Sequence, residues 1–262
     1  MRRKIYILLT MVVAAVGCWG QEVERPFPYP AIPDLIREPQ ARLEYLLERY
    51  WSLFDFNDTT AVNRLTEEQG FVDYINILQM ADSAVAAKSI RILMDSVSHD
   101  EARMKRYESL IDHYLGNPNS PMRNDATYAH LLRVMPQTPQ RKFLLGEVTK
   151  NLPGTIAADF TFVDDEGVKL RMHEVRSPLT MLVFFDPHCD HCEKMMPQII
   201  DQTGRVDPTT LKVLYVNTEL NEMDRLYYLP AMPSLYLLDA EKRVIIKDGS
   251  LDQIMKVLLP NG

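Results

Sequence analysis

Between residues 34 and 150 the apolar positions recur at three- and four-residue spacing, and no stretch alternates with period two. Leu43, Leu46, Leu47, Tyr50, Trp51 and Phe54 fall at i, i+3, i+4, i+7, i+8 and i+11, a single stripe along a helix. The same reading predicts helices over about 66–80, 82–98, 100–115, 124–134 and 139–150. Met104, Tyr107, Ile111, Tyr114 and Leu115 make the stripe of the helix over 100–115, and Gly116-Asn117-Pro118-Asn119-Ser120-Pro121 stops it. These segments predict an all-helical domain over 34–150.

After Asn151-Leu152-Pro153-Gly154 the pattern changes, which places a domain boundary there. Phe160-Thr161-Phe162 alternates as a half-buried strand does, and Asp164-Asp165-Glu166-Gly167 is a turn into Val168-Lys169-Leu170. Met181-Leu182-Val183-Phe184-Phe185 is apolar without a break, as suits a central strand covered on both faces. A parallel strand is predicted at Lys212–Asn217, reached by a helical crossover. Leu235–Asp239 and Val244–Lys247 should form a hairpin around Ala240–Arg243, and Leu251–Leu259 an amphipathic closing helix. The expectation for 152–262 is a four- or five-stranded mixed sheet between helix layers.

The formal charge of −7 and pI of about 5.4 carry no nucleic-acid footprint. The amino terminus changes the picture more. Met1-Arg2-Arg3-Lys4 precedes a mainly apolar run from Ile5 to Val16, the make-up of a secretory signal peptide over 1–20 and short for a membrane span. Two processing readings stand. Cleavage after Gly20 would leave Gln21 first. Alternatively, Ala15-Val16-Gly17-Cys18 resembles a lipoprotein signal, with Cys18 acylated and the protein tethered to a membrane. Either way the chain is expected to be exported to the periplasm or cell envelope. Four prolines within 22–33 make 21–33 an extended tether.

Past the leader only Cys189 and Cys192 remain, so one intrachain disulfide can form. They occupy Cys189-Asp190-His191-Cys192, where the turn Asp186-Pro187-His188 leads from a strand into a helix running through Pro197. Unpaired N–H groups at a helix start favour an anion and lower the pKa of the first thiol. This is the equipment of a thiol–disulfide exchanger.

With Pro197 eight residues after Cys189, and Ala231-Met232-Pro233-Ser234-Leu235 entering an apolar strand, the region resembles the exported bacterial branch of the thioredoxin-fold oxidoreductases. Gly154–Phe160 followed by Asp165-Glu166-Gly167 is similar to that family's opening hairpin, so the resemblance spans roughly 152–262. The segment ahead of it is similar to the uncharacterised helical segment of some exported proteins with thioredoxin-like domains. The resemblance implies an α/β thioredoxin fold preceded by an all-α domain, acting on protein thiols and disulfides and recharged by an unidentified redox partner. Cys189 would attack and Cys192 would resolve, with no cofactor beyond their disulfide. His191 would favour the thiolate, Asp190 would oppose it, and His188 stands where thioredoxin has an aromatic residue. Together they suggest a potential above thioredoxin's. Pro233 would be cis, setting the backbone of Met232 to pair with an extended substrate. Thioredoxin's buried acid is replaced by Val183, and its basic partner by Tyr215. Proton transfer at Cys192 therefore falls to water or to a substitute, with Asp186 and Glu219 as candidates.

Two other functional classes compete. His188, Cys189, His191 and Cys192 carry metal-compatible atoms, but adjacent His188 and Cys189 are poorly placed to share one tetrahedron with the other two, so no metal site is expected. Haem attachment is disfavoured because Glu193, not His, follows Cys192. The other class is an envelope adaptor whose helical domain recruits a partner. In that domain His99, His113 and His130 read as surface or capping residues, Tyr50 and Trp51 as core, and the charges at 100–106 as a solvated helix face.

Overall fold

The computed structural model describes residues 26–163, 167–219 and 223–259. The leader, Cys18 with its acylation reading, the first tether residues and the acidic turn Asp164-Asp165-Glu166 lie outside the described residues. Among the described residues no helix is long and apolar enough to cross a membrane.

Among the described residues six α-helices come first: α1 (Pro39–Arg49), α2 (Ala61–Leu78), α3 (Ser83–Val97), α4 (Glu101–Ile111, prolonged by a π-helical turn over Asp112–Gly116), α5 (Asp125–Val134) and α6 (Pro139–Val148). Their starts are written in cap residues. Thr60, Asp82, Asp100, Asn124 and Thr138 each accept a backbone N–H of the first turn, and Pro39 and Pro139 sit where a missing N–H costs nothing. Two boundaries differ from expectation. The Thr60 cap starts α2 at Ala61 rather than near 66. The first stripe leaves its helix at Arg49, and Trp51 and Phe54 enter the same core from the turns that follow. The charged stretch at 100–106 is also not wholly solvated: Arg106 pairs with Glu67, itself buried.

The tether is not free either. Phe27 is buried in the helical core, stacked on Tyr50 at 5.1 Å and on Phe54 at 5.5 Å. Gly70 on α2 makes the room, since a Cβ there would lie 2.1 Å from a ring carbon of Phe27. Alanine normally gains about 1 kcal/mol over glycine inside a helix. Overpacking costs about 1–3 kcal/mol and should win here. Gly70→Ala is therefore expected to lower stability in urea melts. The same change made on Phe27→Ala should raise it, because the clashing ring is gone.

The second half holds β1 (Thr161–Val163) and β2 (Lys169–Arg171) as an antiparallel pair, then β3 (Leu179–Phe185), α7 (Asp190–Thr203), β4 (Leu211–Asn217), β5 (Ser234–Leu238), β6 (Val244–Ile246) and α8 (Leu251–Leu258). The main sheet runs β4-β3-β5-β6, with β3 parallel to β4 and antiparallel to β5. This is the thioredoxin fold. Met181 to Phe184 are fully buried, which explains the unbroken apolar run. Met181 and Val183 face Ile199 of α7 and Ile254 of α8. Leu182 and Phe184 face Phe160, Met172 and Tyr227.

That second face corrects the expected pair of helix layers. It is covered by the β1–β2 region and by the segment before β5, whose only helix among the described residues is the single turn Met223–Arg225. Pro230 and Pro233 lie in this segment, and a residue preceding proline avoids the helical region. The chain at Asn151, where the sequence places a boundary, is anchored rather than slack. Asn151 adopts a positive φ of 51°, donates to Leu226 O at 2.8 Å and accepts from Ala158 N at 2.7 Å.

Candidate active site

The end of β3 delivers the turn that holds the cysteines. Asp186 Oδ1 accepts the His188 N–H at 2.7 Å, and Asp186 O accepts the Cys189 N–H at 3.1 Å. Asp186 thereby folds the loop as a short polar residue after a strand often does. Cys189 is the N-cap of α7, with its Sγ accepting the Cys192 N–H at 3.3 Å. A sulfur occupies the position where a serine or aspartate oxygen usually caps a helix.

The two thiols are driven apart. Cys189 is held below the usual thiol range, first by a hydrogen bond from the Cys192 thiol, then by the backbone N–H groups of Cys192 and His191. Partial burial and the charge of Asp186 oppose this. Cys192 is buried, and desolvation foremost pushes it up to about 11, helped by its hydrogen bond to Cys189 and by the charges of Cys189 and Asp186, while a backbone hydrogen bond at Asp186 opposes the rise. Cys189 stays half-exposed, and no disulfide joins the two sulfurs. One sulfur is therefore reachable and inclined to ionise, while the other is sheltered and holds its proton.

The remaining sequence candidates fall around this pair. The Met232–Pro233 peptide is cis, and the Cys189 thiol lies 3.8 Å from Met232 O. His188 is exposed, with Nε2 3.4 Å from Glu219 Oε1. Glu219 thus faces an imidazole, and of the two proton-transfer candidates Asp186 is the one whose charge acts on both sulfurs. Asp190 and His191 are exposed in the first turn of α7, where His191 reaches Cys189 through its backbone N–H. Val183 lies in register between Tyr215 and Leu235, fully buried and with no ionisable group to offer Cys192. Among the described residues no group of three or more His, Cys, Asp or Glu side chains could hold a metal ion.

Ser234 has no site role in the sequence pattern, yet the structure gives it one contact of note. It follows Pro233 directly, is fully buried, and donates through Oγ to Asp248 Oδ1 at 2.5 Å. A hydroxyl beside the proline of an otherwise apolar strand entry was the available signal.

The fold places the chain beside known structures. A thioredoxin-like protein from Bacteroides caccae aligns over 91% of this chain and 99% of its own length, at 27% identity and a TM-score of 0.75. The thioredoxin domain of a thiol-disulfide oxidoreductase from Bacteroides vulgatus aligns over 41% of this chain and 96% of its own, at 16% identity and a TM-score of 0.34. A thiol:disulfide interchange protein from Bacteroides sp. aligns over 43% and 91%, at 14% identity and a TM-score of 0.36. No curated protein matches. Residues 9–151, which take in the six helices α1 to α6, match a family described only as a domain of unknown function, and to that family, DUF5106, the chain belongs.

Proposed function

We propose that the chain is an exported thiol–disulfide oxidoreductase that exchanges the Cys189–Cys192 pair with protein cysteines. The carrying observation is the asymmetry of the two sulfurs, one half-exposed and depressed at a helix start, the other buried and raised. The full-length alignment with a thioredoxin-like protein supports the redox reading at the level of the fold family.

In the reductive direction the Cys189 thiolate attacks one sulfur of a substrate disulfide. A Cys189–substrate S–S bond forms, and the other substrate sulfur leaves as thiolate and takes a proton. Cys192 then loses its proton and attacks Cys189 Sγ, releasing the second substrate thiol. The substrate gains two electrons and two protons, and the protein becomes the disulfide. The oxidative direction is the reverse. The partner that recharges the pair sets the sense of flow, together with the potential to which His191, Asp190 and His188 contribute. Asp186 is assigned the proton at Cys192, and Met232 and Pro233 the seating of an extended substrate segment. The leader sends the chain to the periplasm or envelope, with Cys18 the residue that a lipid anchor would use.

Insulin reduction under dithiothreitol, followed by turbidity, should be accelerated by the protein. Oxidation should lower its intact mass by about 2 Da as two hydrogens leave. A pair that never links under any oxidant, together with no acceleration, would overturn the reading.

A further inference from the structure

The helical domain and the thioredoxin fold meet through charges that have little contact with water. Arg123, just ahead of α5, pairs with Asp248 across the domain boundary and with Asp125 at 3.2 Å. Lys247 Nζ meets Asp125 at 2.7 Å and donates to Val148 O at 2.7 Å. None of these four side chains is more than 10% exposed. Both cations lie near the face of Tyr228, Arg123 Cζ at 5.8 Å and Lys247 Nζ at 5.7 Å. The group borders a cleft of ≈ 510 Å³ between the start of α5 and the β6–α8 turn.

Asp248 does two things at once. Its Oδ2 takes the Arg123 guanidinium, while its Oδ1 accepts the Ser234 hydroxyl at 2.5 Å. Ser234 is bonded in the chain to Pro233, and Met232 O faces Cys189 Sγ at 3.8 Å. Two side-chain contacts therefore separate the helical domain from the loop that faces the attacking sulfur.

Stability alone is a weak reason for this arrangement. Taking an ion out of water carries a large desolvation cost, and well-packed apolar residues of similar volume often hold an interface as firmly. What apolar packing lacks is direction. A carboxylate held by a guanidinium keeps its second oxygen aimed at one hydroxyl.

We propose that the helical domain positions the substrate-seating loop through the relay Arg123–Asp248–Ser234, an inference that rests on the oxidoreductase reading for its kinetic consequence. Arg123, Asp248 and Ser234 are positioning residues, acting on a bound polypeptide through Met232 and Pro233. The helical domain is then part of the exchange machinery and not a passenger ahead of it.

The test uses the full chain carrying Ser234→Ala, Arg123→Gln, the double change, and Arg123→Lys. Ser234→Ala leaves every ion pair in place and so retains the fold even where Arg123→Gln does not. The KM for insulin should rise about three- to tenfold in each single variant, as suits coupling within one bonded network. The double variant should be no worse than the poorer single one, Arg123→Lys should recover part of the loss, and alkylation of Cys189 by iodoacetamide should hold its rate. Multiplying effects in the double variant, or an unchanged KM in folded Ser234→Ala, would overturn the relay. A second readout does not depend on exchange activity. In 15N spectra Ser234→Ala and Arg123→Gln should both shift the Met232 amide, and a stationary Met232 signal in both would overturn the relay. Shifted amides in a protein that exchanges no disulfide would sink the oxidoreductase reading and leave the relay standing.

Discussion

Cys192→Ser is expected to convert turnover into capture: the protein should accumulate as a mixed disulfide between Cys189 and a polypeptide substrate. Cys189→Ser should instead lose exchange by about 10³-fold or more, the scale on which removal of a nucleophile acts. The difference follows from where the sulfurs sit. Cys189 is half-exposed, with backbone N–H groups aimed at it, so it can attack without its partner. Cys192 is buried behind it and meets a substrate only through Cys189. Serine at 192 still carries an O–H donor, so the hydrogen bond that contributes most to depressing Cys189 keeps a counterpart in the variant. Attack by the trap should therefore stay near the wild-type rate at pH 6, while its product lasts far longer. Non-reducing gels and mass spectrometry with an oxidised client would decide the matter. Equal trapping by both variants would remove the distinction between attacking and resolving sulfur.

What could be seen in the chain beforehand was mostly local. The run Met181–Phe185, the spacing Cys189 to Cys192 and the proline in Ala231–Leu235 lie within short windows, and each constrains backbone or chemistry by itself. The structure put them on β3, at the cap of α7 and at the entry to β5. What could not be seen was long-range. Arg123 and Asp248 are 125 residues apart, and each reads in isolation as an ordinary surface charge. Lys247 looked like the polar end of a strand, yet its ammonium is buried against the helical domain. Phe27 lay among prolines that signal extended chain, and only its opposition to Gly70 shows why it is buried. The early start of α2 was hidden because its first turn carries Asn63 and Arg64, so the cap at Thr60 preceded any apolar stripe.

Asp186→Asn is expected to move the two half-reactions in opposite directions. Its charge raises both sulfurs, so neutralising it should lower Cys189 further and shift the alkylation midpoint of Cys189 to lower pH. Capture of a substrate disulfide below that midpoint should become faster. Resolution should become slower. Desolvation, the largest cause of the rise at Cys192, persists in the mixed disulfide, so little of it is thiolate at pH 7 and a nearby group that takes this proton speeds release. Positioned bases contribute about 10²- to 10⁴-fold in such steps, and the lower end of that range is the expected loss. Asparagine keeps the oxygen that accepts the His188 N–H, so the loop should retain its shape and the comparison concern charge alone. Stopped-flow measurement of attack and release, from pH 5 to 10, separates the two steps. In the variant, release should rise about tenfold per pH unit, because hydroxide takes over where the carboxylate acted. If release in the wild type already shows that slope, and the variant leaves it unchanged, solvent removes the proton and Asp186 serves only to shape the turn.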